Sequence, residues 1–210
     1  MFSFKSIAVF ATLAFGAVSS LAAPTIDTNA VVARCDACDA SKGIAGIFAD
    51  VKVAVTPYVN ELHYIKKDNC TVDAIEPLII GIKVAVNDGL IKVNALAGAS
   101  VDVILAGAVD ATVKVDVNVL AGIVADLVVF IFAGLKVILD LNVTACLSVV
   151  IPLFCGLGEV IGALICAVLS ICGHLLVGLD VAILALIQVV VSVIVRLNVS
   201  VLISVLAIVV

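Results

Sequence analysis

Residues 141–210 contain almost no charge, and this constrains the fold more than any other feature of the chain. Their formal charges are Glu159, Asp180 and Arg196. We expect these three to pair, to line a polar seam or to mark helix ends, because an unpaired buried charge is costly. Hydrophobic residues make up 65% of the whole sequence, against about 45–50% in an ordinary globular domain. The surplus exceeds what a core of this size can bury, so we expect it to meet lipid, further copies of the chain or an air–water boundary.

Apolar residues recur at intervals of three and four through residues 43–66, as they do on one face of an amphipathic helix. We expect Pro57 to bend this helix. Polar residues at 66–69 then predict a turn, and a second, half-polar helix follows. The region 43–98 is thus predicted to be an amphipathic helical hairpin.

Residues 94–141 support two interpretations. Apolar and polar residues alternate through residues 113–119, as in a half-buried strand. Asp110, Lys114 and Asn118 are instead spaced four apart, which on a helix places an acid before a base in the favoured order. No cluster of turn residues divides the stretch into short strands, and this favours a helix.

The uncharged last third of the chain predicts three or four apolar helices. Residues 141–158 and 160–179 reach the length that spans a bilayer, whereas 181–195 and 197–210 fall short unless they are joined across Arg196. We expect Pro152 to kink or divide the first of them. The predicted fold class is mainly α, with an amphipathic helical hairpin followed by a very apolar helical bundle.

The first residues have the parts of a secretory signal in the expected order. Lys5 supplies a positive charge, an apolar run follows, and small residues precede a cleavage site after Ala22. The apolar run is shorter than the about 20 residues of a membrane span, which argues against an uncleaved anchor. The predicted organisation is a signal peptide at 1–22, a flexible cysteine-bearing arm at 23–42, an amphipathic helical region at 43–98 and a hydrophobic helical region at 99–210.

Export would place the cysteines in an oxidising compartment, where disulfides form and persist. The chain has seven cysteines, and the odd number implies one free thiol or one bridge to another molecule. We expect Cys35 or Cys38 to bond Cys70, although these three and His63 are also a possible zinc set. Cys155, Cys166 and Cys172 lie in apolar sequence and can instead be buried unbonded. The disulfide candidates are Cys35, Cys38, Cys70, Cys146, Cys155, Cys166 and Cys172.

Two further patterns predict a modification and a packing surface. Asn69 begins an Asn-Cys-Thr sequon in a polar turn and is the candidate for N-glycosylation. The sequons at Asn142 and Asn198 have apolar neighbours and are interpreted as chance matches. Small residues spaced four apart let two helices approach closely in an apolar medium. This helix-packing stripe consists of Gly158, Gly162, Cys166 and Ser170.

No arrangement of residues indicates catalysis. The sequence lacks the nucleophile-elbow, phosphate-loop, His-Glu-x-x-His and dinucleotide-binding patterns. His63 and His174 have surroundings more typical of solvated or helix-end histidines than of acid–base catalysts. We therefore expect a protein that is not an enzyme, with no cofactor and no metal. The formal net charge of −5 argues against nucleic acid as a partner, since binding it requires a basic surface.

The layout of the chain resembles a basidiomycete family of small secreted hyphal-surface and matrix proteins linked to aerial hypha formation and attachment. The likeness rests on the signal, the Cys35 and Cys38 pair, and the very apolar half with its cysteines between Cys146 and Cys172. Members of that family carry an even set of cysteines, so the odd number here leaves the bridge pattern open. Hydrophobins fit less well, because they need adjacent Cys-Cys doublets, which this sequence lacks.

The sequence thus predicts a secreted, non-enzymatic hydrophobic surface or matrix protein that self-assembles or coats interfaces, in attachment or aerial growth. Its expected partners are further copies of itself and lipid, cell wall or a hydrophobic surface. The alternative is an integral multi-helix membrane protein of the secretory pathway or plasma membrane. Overall hydropathy favours that alternative, whereas the absence of Trp leaves no aromatic belts at the membrane edges. A secreted enzyme or small-lipid carrier has only the apolar volume in its favour.

Overall fold

Helices account for most of the residues that the computed structural model describes, which are 42–110 and 112–208. In these ranges the chain forms no β-strand beyond one isolated bridge, and the predicted mainly α fold class is confirmed. The predicted signal peptide and nearly all of the cysteine-bearing arm lie outside the described residues. The helices are α1 (Ile44–Leu62), α2 (Val72–Ala95), α3 (Val101–Ile104), α4 (Val117–Leu141), α5 (Thr144–Cys172), α6 (Leu179–Leu186), α7 (Gln188–Arg196) and α8 (Ser200–Val205).

α1 and α2 correspond to the two helices predicted for residues 43–98. α1 continues through Pro57, which lies on its exposed side. α2 begins where Thr71 adopts an extended conformation and accepts a hydrogen bond from the amide of Ala74 at 3.3 Å. A threonine at this position stabilises the helix because it satisfies one of the first amides, which have no partner within the helix.

Two glycines of α2 let α1 approach closely. A Cβ added at Gly81 would lie 2.5 Å from the ring of Tyr58, and one added at Gly89 would lie 2.5 Å from Cγ2 of Val51. The facing positions run in opposite directions along the two helices, so α1 and α2 are antiparallel. The close approach buries the apolar face of α1, including Val51.

The segment before α4 forms a short hairpin instead of a continuous helix or strand. Ala106 and Lys114 form an antiparallel bridge. Beside it, the amide of Val115 donates to the carbonyl of Leu105 at 2.9 Å. Only the first of the alternating residues 113–119 therefore belong to the hairpin, and helix α4 begins at Val117.

The helical ladder predicted for Asp110, Lys114 and Asn118 is not formed. Lys114 instead pairs with Asp102 at 2.5 Å, and Asp110 precedes the helix by several residues. Asp116 ends the hairpin by capping α4, because its carboxylate accepts a hydrogen bond from a first-turn amide at 2.8 Å. An acid at this position satisfies a free amide and complements the helix dipole.

The same pair of backbone conformations joins α4 to α5 and α7 to α8. Asn142 adopts the left-handed conformation, with φ 55°, and Val143 is then extended. Asn198 repeats this with φ 51°, again followed by an extended Val199. Asparagine tolerates the left-handed region better than most residues. The repeated Leu-Asn-Val-Ser/Thr sequence therefore encodes the same helix–turn–helix junction twice.

Helix boundaries in the last third differ from the sequence prediction. The stretches 141–158 and 160–179 do not form separate helices, because α5 runs without a break from Thr144 to Cys172. It also continues through Pro152. Pro152 lies on the exposed side of α5, where its ring does not disturb the packed face. The predicted helix at 181–195 is instead divided at Ile187, where α6 and α7 meet at 84°.

The two helical hairpins, α1–α2 and α4–α5, pack side by side, with α1 beside α4 and α2 beside α5. Lys52 of α1 pairs with Asp126 of α4. Further along both helices, a Cβ at Gly134 would lie 3.0 Å from Cγ1 of Val59. Neighbouring helices of different hairpins therefore run parallel, and the tips of both hairpins, at residues 63–71 and 142–143, lie at the same end of the bundle.

Short C-terminal helices complete the core. α6 and α7 pack on α4, and α8 packs on α5. Phe48, Phe132 and Phe154, from α1, α4 and α5, are among the largest fully buried side chains. Residues 141–208 thus supply a large part of the core and are not a detached apolar tail.

Candidate functional site

The most distinctive surface of the described chain is apolar and lies on the turn before α6, on α6 and at the start of α7. We call it the 177–189 surface, and it consists of Val177, Val181, Leu186 and Val189. Val177, Val181 and Val189 are 86%, 66% and 68% exposed. Ile187, in the middle of the stretch, is fully buried and anchors it on the bundle. Single exposed apolar residues are common in soluble proteins, whereas four large ones in one short stretch make this segment the candidate interaction surface.

Each of the three charged residues in 141–210 either lies at a helix end or caps the start of another helix. Oε1 of Glu159 accepts hydrogen bonds from the amide and the hydroxyl of Ser200, both at 3.1 Å. A side chain of α5 thereby caps the start of α8. Asp180 is in the first turn of α6, and Arg196 is in the last turn of α7. Each has the sign that complements the helix dipole at its end.

The predicted helix-packing stripe divides into a buried part and an exposed part. A Cβ at Gly158 would lie 2.5 Å from Cγ2 of Val199, and one at Gly162 would lie 2.7 Å from Cγ1 of Val201. These two glycines therefore let α8 lie directly against α5. Cys166 and Ser170, the other two members, are exposed.

Among the cysteines, Cys70 and Cys146 come together. Their Sγ atoms are 2.7 Å apart, and both residues are buried. Cys155 is half-buried and its thiol donates to the carbonyl of Leu197 at 3.2 Å. Cys172 is buried and Cys166 is exposed. Cys35 and Cys38 lie outside the described residues, so the predicted bond from one of them to Cys70 stays a prediction.

Asn69 is exposed at the tip of the α1–α2 hairpin, and its side-chain oxygen accepts a hydrogen bond from the amide of Lys66. An exposed turn of this kind is where N-glycans are attached. Asn142 and Asn198 are also exposed, despite their apolar neighbours in sequence. Their left-handed conformation gives both a structural role that the sequence did not reveal.

Potential metal ligands are dispersed over the described part of the chain. His63 and His174 are both exposed. No three His, Cys, Asp or Glu side chains of the described residues are grouped to hold a metal ion. A groove of about 210 Å³ lies between α1 and α2, below the about 300–1,000 Å³ of usual ligand sites. Its lining is Asp50, Val51, Ala54, Tyr58, Gly81, Val84, Ala85, Asp88, Gly89 and Lys92.

Two described helices are long and apolar enough to cross a membrane, judged by length and composition. They are α4, with a mean hydropathy of 2.4, and residues Cys146–Cys172 of α5, with a mean hydropathy of 2.3; the bent pair α6–α7 would be a third. α4 nevertheless carries exposed charges, and Lys136 pairs with Asp140 at 2.5 Å on its surface. The sequence prediction did not include α4 among the helices of spanning length.

The chain matches no known protein family, no curated protein sequence and no solved structure. The resemblance to secreted hyphal-surface proteins therefore stays a prediction from the layout of the sequence.

Proposed function

We propose that this protein is a secreted, non-enzymatic surface or matrix protein that adsorbs to hydrophobic surfaces and associates with further copies of itself. The 177–189 surface is the observation that carries the proposal. It displays four large aliphatic side chains within 13 positions of the chain, and fully buried residues such as Ile183 and Ile187 hold this stretch on the bundle. Attachment and aerial growth are processes in which such an exported, surface-active protein would act.

The energy available at this surface is sufficient for adsorption. Fully burying one Val or Leu side chain contributes about 1.5–3 kcal/mol. Val177, Val181 and Val189 are each at least 66% exposed, so removing all three from water contributes several kcal/mol. Asp180 is the charge within this stretch, and as an exposed residue at a helix start it can stay hydrated at the edge of the contact.

Truncation of residues 141–210 would be a poor test of this proposal. Residues 141–210 supply α5, which covers α2, and α6 and α7, which cover α4. Removing them would uncover the apolar faces of α2 and α4. The truncated chain would then adsorb because it is unfolded, whatever the native surface does.

Point substitutions on the folded chain test the proposal directly. The variant Val177→Asp/Val181→Lys/Val189→Glu removes the apolar surface, and adsorption to a methyl-terminated sensor should fall several-fold. The matched control Val53→Asp/Tyr64→Lys/Ile91→Glu introduces the same charges at positions that are 74%, 76% and 61% exposed on the α1–α2 hairpin. The control should adsorb like the wild type. Equal adsorption by all three proteins would contradict the proposal.

The alternative function is that of an integral membrane protein, and the spanning length of α4 and α5 is the observation that favours it. Fractionation of the native host separates the two. Recovery from culture medium or a wall extract supports the surface protein, whereas a membrane pellet that resists carbonate extraction supports the membrane protein. In the second case the substitutions at 177–189 should alter membrane insertion and not surface adsorption.

A further inference from the structure

Cys70 and Cys146 lie at the shared end of the two hairpins. Cys70 is the last residue of the turn before the cap of α2, and Cys146 is in the first turn of α5. The parallel packing of α2 on α5 brings these two positions together, although they are 76 residues apart in sequence. Their Sγ atoms are 2.7 Å apart, which is shorter than the distance at which two unbonded sulfur atoms pack.

We propose that Cys70 and Cys146 form a disulfide bond that joins the tip of the α1–α2 hairpin to the tip of the α4–α5 hairpin. The pairing differs from the sequence prediction, which assigned Cys70 to Cys35 or Cys38. It goes beyond the proposed surface function: the pairing rests on the packing of the bundle, and only the oxidant in the cell rests on the proposed export.

The surroundings of the other described cysteines leave Cys146 as the partner of Cys70. The thiol of Cys155 is directed at the carbonyl of Leu197, a residue that follows α7. Cys172 ends α5, 26 positions after Cys146 and so at the opposite end of that helix. Cys166, on the same helix, faces solvent and is available to reagents but not to Cys70.

The bond requires an oxidant, which we take to be a disulfide of a thiol–disulfide oxidoreductase in the secretory pathway, or oxidised glutathione in vitro. The thiolate of one cysteine attacks that disulfide, forms a mixed disulfide and releases one thiol of the oxidant. The second cysteine's thiolate then attacks the protein sulfur and releases the other thiol. The two cysteines together lose two protons and two electrons, and the oxidant is reduced to its dithiol form, or to two glutathione molecules.

Burial affects when this reaction can take place. Burial, followed by the contact with Cys146, raises the pKa of the Cys70 thiol to about 12. Since the thiolate is the attacking species, a chain that has folded with both thiols reduced exchanges slowly. The bond should therefore form while the two hairpins dock, before Cys70 is covered.

Peptide mapping without reduction tests the bond on the full chain. One sample is secreted from a eukaryotic host, and a second is refolded from denaturant in a glutathione redox buffer. Free thiols are alkylated in denaturant, and N-glycans are removed because Asn69 shares a peptide with Cys70. Trypsin is unsuitable, since no Lys or Arg occurs between Lys136 and Arg196 and four cysteines would stay in one peptide. Chymotrypsin, which cuts after Leu147 and Phe154, separates Cys146 from the others.

We expect a cross-linked pair of peptides that contains Cys70 and Cys146 and is lighter by two hydrogen atoms than the two peptides together. Finding it in both samples supports the bond. If the host secretes no protein, a cross-link in the glutathione sample alone still supports the bond, and the missing secretion argues against the proposed function. Alkylation of both cysteines in both samples, or a cross-link from Cys70 to Cys35 or Cys38, overturns the proposal.

Single and double variants supply an independent readout. Cys70→Ser and Cys146→Ser should each leave the partner thiol open to alkylation in denaturant and lower the melting temperature by the same amount. The double variant should lower it no further, because both substitutions remove one bond. Cys166→Ser is the control and should retain the cross-link. Additive shifts in the double variant would overturn the proposal, and the wild-type peptide map decides the question if a variant fails to fold.

Discussion

Replacing Gly162 by alanine tests how closely α8 lies against α5. Alanine favours a helix over glycine by about 1 kcal/mol, so without its neighbours Gly162→Ala would stabilise the protein. The added Cβ would, however, lie 2.7 Å from Cγ1 of Val201 and 3.3 Å from the backbone nitrogen of Leu202. A backbone atom cannot rotate away, so α8 must shift as a unit. Overpacking of this kind costs about 1–3 kcal/mol, which leaves Gly162→Ala between unchanged and about 2 kcal/mol less stable than the wild type.

Gly122→Ala is the matched control. Gly122 is inside α4, and a Cβ there would meet nothing within 4 Å. This substitution keeps the gain in helix propensity and should raise the free energy of unfolding by about 1 kcal/mol. The two variants should therefore differ by about 1–3 kcal/mol in denaturant unfolding followed by far-ultraviolet circular dichroism. In addition, only Gly162→Ala should speed proteolysis near α8. If Gly162→Ala stabilises the protein as much as Gly122→Ala does, α8 does not approach α5 as described.

Three further outcomes are expected. Glu159→Ala removes the acceptor for the amide and hydroxyl of Ser200, so it should cost about 0.5–2 kcal/mol and speed hydrogen exchange in α8; unchanged exchange would contradict the capping role. Asn69→Gln, secreted from a eukaryotic host, should migrate faster than the wild type by one N-glycan, and glycosidase treatment should remove the difference; equal migration before treatment would count against a glycan at Asn69. Thr112→Val should raise the pKa of Asp110 towards its ordinary value in an NMR titration, because the hydroxyl and the amide of Thr112 hold it below that value. The contribution of Asp110 to stability is present above its unfolded-state pKa and is lost as pH falls through the lowered folded-state pKa; an unshifted titration in the variant would refute the assignment to Thr112.

The first hairpin could be predicted from the sequence. The apolar residues of α1 and α2 recur at helical intervals because each helix buries one apolar face. The sequence was insufficient at the break between α6 and α7. Leu186, Ile187 and Gln188 contain no helix breaker, and the 84° bend there arises where the chain packs on α4. Pro152 led to the opposite error, because the sequence predicted a kink or break at a residue through which the helix is continuous. A proline on the exposed side of a long packed helix does not end it, since contacts along the buried face outweigh one missing hydrogen bond.

The candidate surface and the cysteine pair could not be predicted from the sequence, for a different reason. An excess of Val, Leu and Ile indicates that some apolar residues stay exposed, but the packing of the bundle decides that Val181 is outside while Ile183 is fully buried. Likewise, Cys70 and Cys146 meet only because the two hairpins dock in parallel. Spacing in the sequence contains no information about that docking, whereas the charges at Asp180 and Arg196 could be assigned to helix ends from the sequence.

The parallel docking of the hairpins also determines the order in which the chain can fold. Each hairpin forms from neighbouring residues, but the contacts between hairpins join distant ones, with Lys52 and Asp126 separated by 74 positions. During synthesis, α1 and α2 leave the ribosome well before α4 and α5 exist to cover them. Their apolar faces remain open for that interval, and long-range closure is slow compared with hairpin formation. The nascent chain is therefore most prone to aggregate between the completion of α2 and the completion of α5, and a chaperone that binds apolar helix faces would act in that interval.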